Sequence, residues 1–353
     1  MAAYTTIDDP EAYFQTVIYT GDGNDDRDIT LPGDTDMQPD FVWIKERSST
    51  SGDQLTDVTR GVGKHLSTVD GTEEGTNAER VQAFNSDGFQ VGTDSSVNQD
   101  TITHVAWCWK ANGTGSSNTT GSINTTATSA NTTSGFSIIT YTGNGSDGAT
   151  IGHGLGAIPG LIICKERSSD AAWTVFHHEN TTAPETDYLN ISNTDATSDN
   201  DDRWSDAMPS STLITLGDSA TVNANTETYV QYVWTEKQGF SKFGSFIGNG
   251  DDNGCFVYTG FKPAYVVVKL TSSAGQNWFT FDNKRPGYNV INKYLYIDQA
   301  DAEGTADRID FCSNGFKVRE DGAGMNGDGS TYIYIAFAEA PFVNSNGVPA
   351  TAR

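Results

Sequence analysis

The chain has 353 residues, enough for two to three domains, and its 21 basic against 46 acidic residues give a formal net charge of −25. Nucleic acid and anionic membrane surfaces both require a basic face, so this charge disfavours either as a partner. No apolar run approaches the roughly 20 residues of a membrane span, and the first residues have neither the basic nor the apolar region of a secretory signal. The sequence therefore predicts no nucleic acid partner, no membrane insertion and no secretory signal.

Aromatic residues make up 11% of the chain, which favours a packed core over disorder. The four cysteines are tens of residues apart and form no CxxC pair, so they indicate buried apolar residues rather than a zinc site or a disulfide scaffold.

Four sequence blocks recur three times in the same order, which is typical of a repeat architecture. The opening block carries a Gly-Asn-Gly or Gly-Asp-Gly turn, and the second is PDFVWIKERSS in its first copy and PAYVVVKLTSS in its last. The blocks lie at 17–23, 138–145 and 244–250; at 39–49, 159–169 and 263–273; at 86–92, 211–217 and 313–319; and at 104–110, 229–237 and 332–339.

Each block is short, rich in β-branched or aromatic residues and bounded by turn residues, as strands are. The closing blocks carry large side chains at both odd and even positions, which predicts strands packed on both faces. No window has the 3.6-residue apolar period of a helix. The sequence therefore predicts an all-β protein of three tandem β-sandwich repeats, of jelly-roll or lectin-like type.

Composition sets the predicted domain boundaries. Residues 111–135 carry no charge and one large apolar side chain, Ile123, so they predict a linker that cannot fold alone. The expected order is an N-terminal arm plus first repeat (1–110), this linker (111–135), a second repeat (136–240), and a third repeat plus C-terminal tail (241–353). Because the second junction is short and aromatic, we expect the last two repeats to form a rigid pair and the first to be a separate arm.

Several long phrases, among them TTIDDPEAYFQ, VAWCWKANG, GFSIITYTGNG and YIYIAFAEAPF, resemble a repeat family of marine tailed-bacteriophage structural proteins, described as tail-fibre-like or head-fibre-like. The resemblance implies a virion component made in the host cytoplasm and displayed on the particle exterior. Its implied partners are other virion proteins of the tail or capsid and further copies of the chain, with a trimer expected. A long anchoring domain, a heptad stem and a collagen-like stretch are not evident, which favours a compact fibre, knob or decoration protein.

One acidic turn has part of a calcium-loop pattern. Asn249, Asp251 and Asn253 occupy the first three ligand positions of an EF-hand, but the twelfth position holds Gly260 instead of Glu. Bound Ca²⁺ and a plain solvated turn are the two interpretations, and the second is the more economical. No other cofactor is expected.

Catalytic patterns are sparse. Glu46 and Glu166 occupy the shared KERSS blocks, but Leu270 replaces them in the third repeat, so ion pairing or a contact between repeats explains them better than catalysis. His177 and His178 would face opposite sides of a strand, which disfavours joint metal binding. The sequence therefore predicts no enzyme.

The spacing of an acid and a base recurs after one strand block in the first and third repeats. Asp57 precedes Arg60 and Asp282 precedes Arg285 by three residues, so each pair is expected to tie a turn together by a charge-assisted hydrogen bond.

Tryptophan side chains that stack on sugar rings are the main candidates for a glycan site. Trp43, Trp107, Trp109 and Trp234 lie in strand blocks and are expected in the core, whereas Trp173, Trp204 and Trp278 are the candidate glycan contacts. Trp204 lies in a polar stretch and is the best candidate for an exposed contact.

These observations favour a non-enzymatic virion protein of the fibre or knob type that contacts host-surface glycans. A capsid decoration or head-fibre protein that stabilises the shell is the alternative, and a virion-borne polysaccharide hydrolase is a third. Location on the particle separates the first two, and turnover of polysaccharide identifies the third.

Overall fold

The computed structural model describes residues 4–352 and is all-β, which confirms the predicted fold class. Within these residues the helical elements are a 3-10 turn at Pro10–Ala12 and two single-turn helices, Ser95–Asn98 (α1) and Ala220–Asn223 (α2). No helix in this part of the chain is long and apolar enough to cross a membrane.

The strands fall into three units that follow one another along the chain. The first unit contains Phe14–Thr20 (β1), Arg27–Thr30 (β2), Phe41–Glu46 (β3), Gln54–Asp57 (β4), Lys64–His65 (β5), Gly75–Thr76 (β6), Val81–Asn85 (β7), Gly88–Val91 (β8) and Thr103–Trp109 (β9). Its inner sheet has the antiparallel order β1-β9-β3-β4, and its outer sheet has the order β2-β8-β7.

The second unit repeats the inner order as β11-β18-β13-β14, with β10 added on one edge, β15 and β16 on the other, and an outer pair β12-β17. Its strands are Ala127–Asn131 (β10), Phe136–Thr142 (β11), Ala149–Gly152 (β12), Leu161–Glu166 (β13), Thr174–His177 (β14), Asp187–Asn190 (β15), Ser198–Asp199 (β16), Leu213–Leu216 (β17) and Thr228–Trp234 (β18).

The third unit repeats the inner order again as β19-β26-β21-β22 and continues through β23-β24-β25-β20 in one eight-stranded sheet. Its strands are Ser241–Ile247 (β19), Phe256–Tyr258 (β20), Phe261–Leu270 (β21), Phe279–Asp282 (β22), Ile291–Tyr296 (β23), Gly304–Cys312 (β24), Gly315–Val318 (β25) and Thr331–Pro341 (β26).

The central strands of each inner sheet are buried on both faces, which explains the large side chains at their successive positions. In β3, Val42 and Ile44 join the core between the inner and outer sheets of the first unit. Phe41 and Trp43 point the opposite way, into a core to which all three units contribute. The alternation of a strand therefore directs one half of its side chains to its own sandwich and the other half to the neighbouring units.

Aromatic rings dominate the shared core. Phe337 of the third unit stacks on Phe14 of the first, with ring centroids 5.3 Å apart. Its ring also lies 5.5 Å from that of Trp109 and 6.3 Å from that of Trp234 of the second unit. The expectation of a separate first arm is wrong, because its inner sheet supplies one wall of this core.

Residues 111–135 do not form the expected linker. Ile123 is packed in the core of the second unit and is 7% exposed, and β10 pairs along the whole of β11 up to Thr140. This segment gains its stability from main-chain pairing and from a neighbour's core, since its own side chains bury little apolar surface.

A buried acid near the meeting point of the units predicts a pH effect on stability. Burial raises the pKa of Asp298 to about 7, although an N–H from Trp278 and the charges of Lys269 and Lys45 oppose the shift. In the unfolded chain this carboxyl releases its proton near pH 4, so the folded state keeps the proton up to a higher pH than the unfolded state does. The free energy of unfolding should therefore decrease by up to about 4 kcal/mol as the pH rises from about 4 to about 7.

Urea denaturation of the protein and of Asp298→Asn at pH 4.5, 6 and 7.5 measures this effect. The amide can still accept the Trp278 N–H, so the variant should gain stability relative to the parent as pH rises. An equal difference between the two proteins at all three pH values would contradict the assignment.

Candidate functional site

The three units meet at three seams, and one main-chain hydrogen bond recurs at each. The main chain therefore has an equivalent arrangement at all three seams. The seams differ in the side chains at these positions. The shared bonds, with N···O distances of 2.7 to 3.0 Å, run from the amides of Glu74, Thr197 and Glu303 to the carbonyls of Arg167, Thr271 and Arg47.

Two of these seams are closed by a bidentate ion pair. At the first–second seam the guanidinium of Arg167 donates to both carboxylate oxygens of Glu74, at 2.9 and 3.0 Å. At the third–first seam Arg47 donates to Glu303 in the same way, at 2.9 and 3.1 Å. The second–third seam has threonines at both equivalent positions, so it lacks this pair.

The two Asp–Arg pairs that are spaced by three residues form the predicted charge-assisted hydrogen bonds within their turns. The guanidinium Nε of Arg60 lies 2.5 Å from the carboxylate of Asp57, and that of Arg285 lies 2.6 Å from Asp282. All four side chains are buried. Both pairs also contact the next unit, since the Asp57 carboxylate accepts from Tyr232 and that of Asp282 accepts from Trp107.

The second unit has neutral groups at these positions. His177 ends β14, and Asn180 follows three residues later. The Nε2 atom of His177 lies 3.2 Å from the carbonyl oxygen of Tyr334 in the third unit. Burial lowers the pKa of His177 to about 3, with a further contribution from His178, so the imidazole is neutral near pH 7. The second–third seam thus lacks the charged pairs that fill the other two.

Threonines in place of the arginine and glutamate of the other seams accompany an open cleft between the second and third units. Two cavities of about 400 and 690 Å³ meet at Glu179, Ser245 and Phe246. We call their union the second–third cleft. Its first part is lined by His178, Glu236, Lys242, Phe256 and Tyr258, among others, and its second by Asn180, Thr197, Thr271 and Thr331.

Two exposed aromatic side chains form the rim of the cleft. Phe256 and Tyr258 lie two residues apart in β20, so they share one face of that strand, and they are 50% and 51% exposed. The Tyr258 hydroxyl lies 3.1 Å from that of Tyr4. Half-exposed rings beside polar groups suit a ligand that has both apolar faces and hydroxyl groups.

A histidine and a glutamate cap one residue of β19 on the floor of the cleft. The Phe243 amide donates to Glu236 Oε1 at 2.8 Å, and His178 Nε2 lies 2.6 Å from the Phe243 carbonyl oxygen. Burial opposes both charges, but these hydrogen bonds and the His178–Glu236 contact outweigh it, so the pKa of His178 is raised and that of Glu236 lowered. The pair therefore favours the imidazolium and the carboxylate.

The three candidate glycan tryptophans lie elsewhere and are all buried. Trp204 is 1% exposed and packs edge-on against Phe176, with centroids 5.9 Å apart. Trp173 and Trp278 are fully buried and donate across seams to the carbonyls of Ser67 and Asn190. The predicted exposure of Trp204 is wrong, because its polar neighbours in sequence cover a ring that completes the second unit's core. The four tryptophans expected in the core are buried there.

The candidate calcium residues form an exposed turn whose polar atoms serve the turn itself. Asn249 Oδ1 accepts from the Asp251 amide at 3.2 Å, and Asp251 Oδ1 accepts from the Asn253 amide at 2.7 Å. Buried Asn326 donates to Asn249 Oδ1 at 2.7 Å and accepts from its amide at 3.0 Å. Within residues 4–352 no group of three or more His, Cys, Asp or Glu side chains is placed to hold a metal ion.

The two KERSS glutamates end strands rather than line a cleft. Glu46 and Glu166 are each 2% exposed. The preceding lysines cross the seams instead, since Lys45 donates to the carbonyl of Gln299 at 2.6 Å and Lys165 to that of Gly71 at 3.0 Å. The contact between repeats that was predicted for the two glutamates is therefore made by the lysines that precede them.

The second–third cleft is not among the sites that the sequence predicted. A signal was present, because the third copy of the second block reads KLTSS where the others read KERSS. The change places Thr271 where the other units have a clamping arginine. Its meaning depends on the partner residue Thr197, which only the fold brings opposite.

Comparisons with known proteins place the chain in a family. No curated protein and no solved structure matches the chain. A family model described as a domain of unknown function, DUF7483, matches residues 9–341 and so spans all three units and the cleft. The chain therefore belongs to the DUF7483 family.

Proposed function

We propose that this protein is a non-enzymatic structural protein of a virion exterior, of the fibre or knob type, that contacts host-surface glycans through the second–third cleft. The half-exposed pair Phe256 and Tyr258 beside polar groups carries the proposal. Aromatic faces stack on the C–H face of a sugar ring, while carboxylates, amides and hydroxyls bind its hydroxyl groups.

The virion part of the proposal is supported by the sequence resemblance and by the charge of the chain. A net charge of −25 keeps acidic particles from associating without a specific contact, and salt screens its effect over about 8 Å. Other virion proteins are the proposed anchoring partners, and a trimer is the proposed assembly.

The cleft predicts a selective effect of one substitution on glycan binding. Tyr258→Ala removes a stacking face and should weaken the binding of the full chain to a panel of printed oligosaccharides about five- to tenfold. Tyr288→Ala is the matched control, since Tyr288 is 81% exposed and lies outside the cleft. It should leave binding unchanged.

Four outcomes would change the proposal. Glycan binding that is unaffected by Tyr258→Ala would contradict the glycan contact, and so would the lack of binding to every saccharide on the panel. Shortened oligosaccharides after incubation would indicate a hydrolase. Density for this chain on the capsid shell, rather than on the tail, in a particle reconstruction would favour the decoration role.

A further inference from the structure

The cleft has features that restrict the class of glycan it can bind, an inference that rests on the proposed function. Its two cavities share Glu179, Ser245 and Phe246 and follow β19, which forms the floor. At about 3.3 Å per residue the seven residues of β19 span roughly 20 Å. A groove of this length suits an extended chain of several sugar rings better than a single monosaccharide.

The floor of this groove has an unpaired main-chain donor and acceptor. In an antiparallel pair, alternate residues direct their N–H and C=O away from the partner strand. Phe243 directs both groups into the cleft, where Glu236 and His178 bind them, so Ser245 two residues later faces the cleft as well. No partner for the Ser245 amide or carbonyl is found among residues 4–352.

The equivalent position of the second unit is occupied. Thr140 pairs with Val230 as Ser245 pairs with Ile333, and the Thr140 carbonyl accepts from the Thr126 amide at 2.7 Å. There Thr126 and the following strand β10 cover the edge of β11. Ser245 is exposed, so its main-chain N–H and C=O are open to solvent, and a sugar hydroxyl can supply both the acceptor and the donor that they need.

A peptide strand is a poorer occupant than a saccharide. Strand addition needs several successive free groups along an edge, but the caps on Phe243 and the bond from the Ser241 amide to the Lys237 carbonyl leave only a short free stretch. Two acids, Glu179 and Glu236, line the cleft together with two bases, Lys242 and the imidazolium of His178, so the lining has no net charge. Carboxylated or sulfated sugars would find no excess positive charge there, and the chain around the cleft is strongly acidic.

We infer that the second–third cleft binds an uncharged, linear oligosaccharide along β19, with a sugar hydroxyl paired to the main-chain N–H and C=O of Ser245. Phe256 and Tyr258 stack against a ring at one end of the groove. Asn180 and the threonines bind hydroxyl groups at the other end.

Calorimetry on the full chain tests the charge and the main-chain contact together. The probes are the neutral tetrasaccharides cellotetraose, maltotetraose and agarotetraose, with tetragalacturonate as the acidic probe. At least one neutral probe should bind ten times more tightly than the acidic one. Ser245→Pro removes the free N–H without breaking the pairing with β26, and it should weaken that binding about fivefold.

Two further variants serve as controls. Ile18→Pro makes the same change at the equivalent edge position of β1, away from the cleft, and should leave binding unchanged. Ser245→Ala keeps the main chain and should bind within about twofold of the parent. A binding loss in Ile18→Pro equal to that in Ser245→Pro would assign the effect to stability and overturn the inference.

The remaining outcomes separate this inference from the proposed function. Preferred binding of tetragalacturonate would overturn the uncharged class but leave the glycan contact in place. Binding that is unaffected in Ser245→Pro would overturn the main-chain contact. If a synthetic peptide of residues 125–131 binds and no saccharide does, both proposals would be overturned in favour of strand addition. If nothing binds, both proposals would be overturned as well.

Discussion

Phe337→Ala should destabilise the protein by about 4 kcal/mol while the unfolding transition remains single. The ring is 1% exposed and packs against aromatic side chains of all three units. Removing a buried phenylalanine costs about 3 to 5 kcal/mol, since the apolar contacts are lost and the cavity is only partly filled. Because the core is shared, the loss should affect the three units together.

Urea denaturation followed by tryptophan fluorescence and by far-ultraviolet circular dichroism measures both parts of this expectation. Phe256→Ala is the matched control, since that ring is 50% exposed and its removal should cost well under 1 kcal/mol. Two separate transitions, of which only one moves in Phe337→Ala, would mean that the units fold independently despite the shared core.

Arg60→Ala should destabilise the protein by about 3 to 5 kcal/mol. The guanidinium is fully buried and bonds to the Asp57 carboxylate, the Tyr232 hydroxyl and the Glu74 carboxylate, at 2.5, 2.9 and 3.2 Å. Its removal leaves Asp57 charged and buried without its cation, which is costlier than losing the pair as a whole. The double variant Asp57→Ala/Arg60→Ala should therefore lose less stability than the sum of the two single changes.

An exposed pair provides the control for this experiment. Arg319 lies 3.5 Å from Asp310 and its side chain is 42% exposed, so Arg319→Ala should change the free energy of unfolding by less than about 1 kcal/mol. Equal losses in Arg60→Ala and Arg319→Ala would show that the buried network at the first–second seam has no special role in stability.

Local pattern was sufficient to predict the four strand blocks that recur in each unit, but not the strands between them, such as β10 in the predicted linker. Runs such as Phe41 to Ile44 bury their side chains on both faces, as the large residues at successive positions indicated. The three-residue spacing of Asp57 and Arg60 likewise predicted a bond within one turn. Such features depend on neighbours a few residues away, and the chain itself brings them together.

Exposure was harder to predict, and Trp204 illustrates why. Aspartates and serines surround it in sequence, yet its indole ring packs on Phe176 in the core of the second unit. Ile123 similarly lies in a stretch without other large apolar residues and is nevertheless buried. In both cases the partner that covers the side chain comes from a distant part of the chain.

By itself the sequence determined an all-β chain with a pattern that recurs three times, because strand alternation and turn chemistry are encoded over a few residues. Only the tertiary structure decided that the three units share one core and that the second–third seam forms an open cleft. That difference arises from Thr271 facing Thr197 where an arginine faces a glutamate at the other seams. Residues 74 positions apart can reveal this only after the fold has placed them opposite each other.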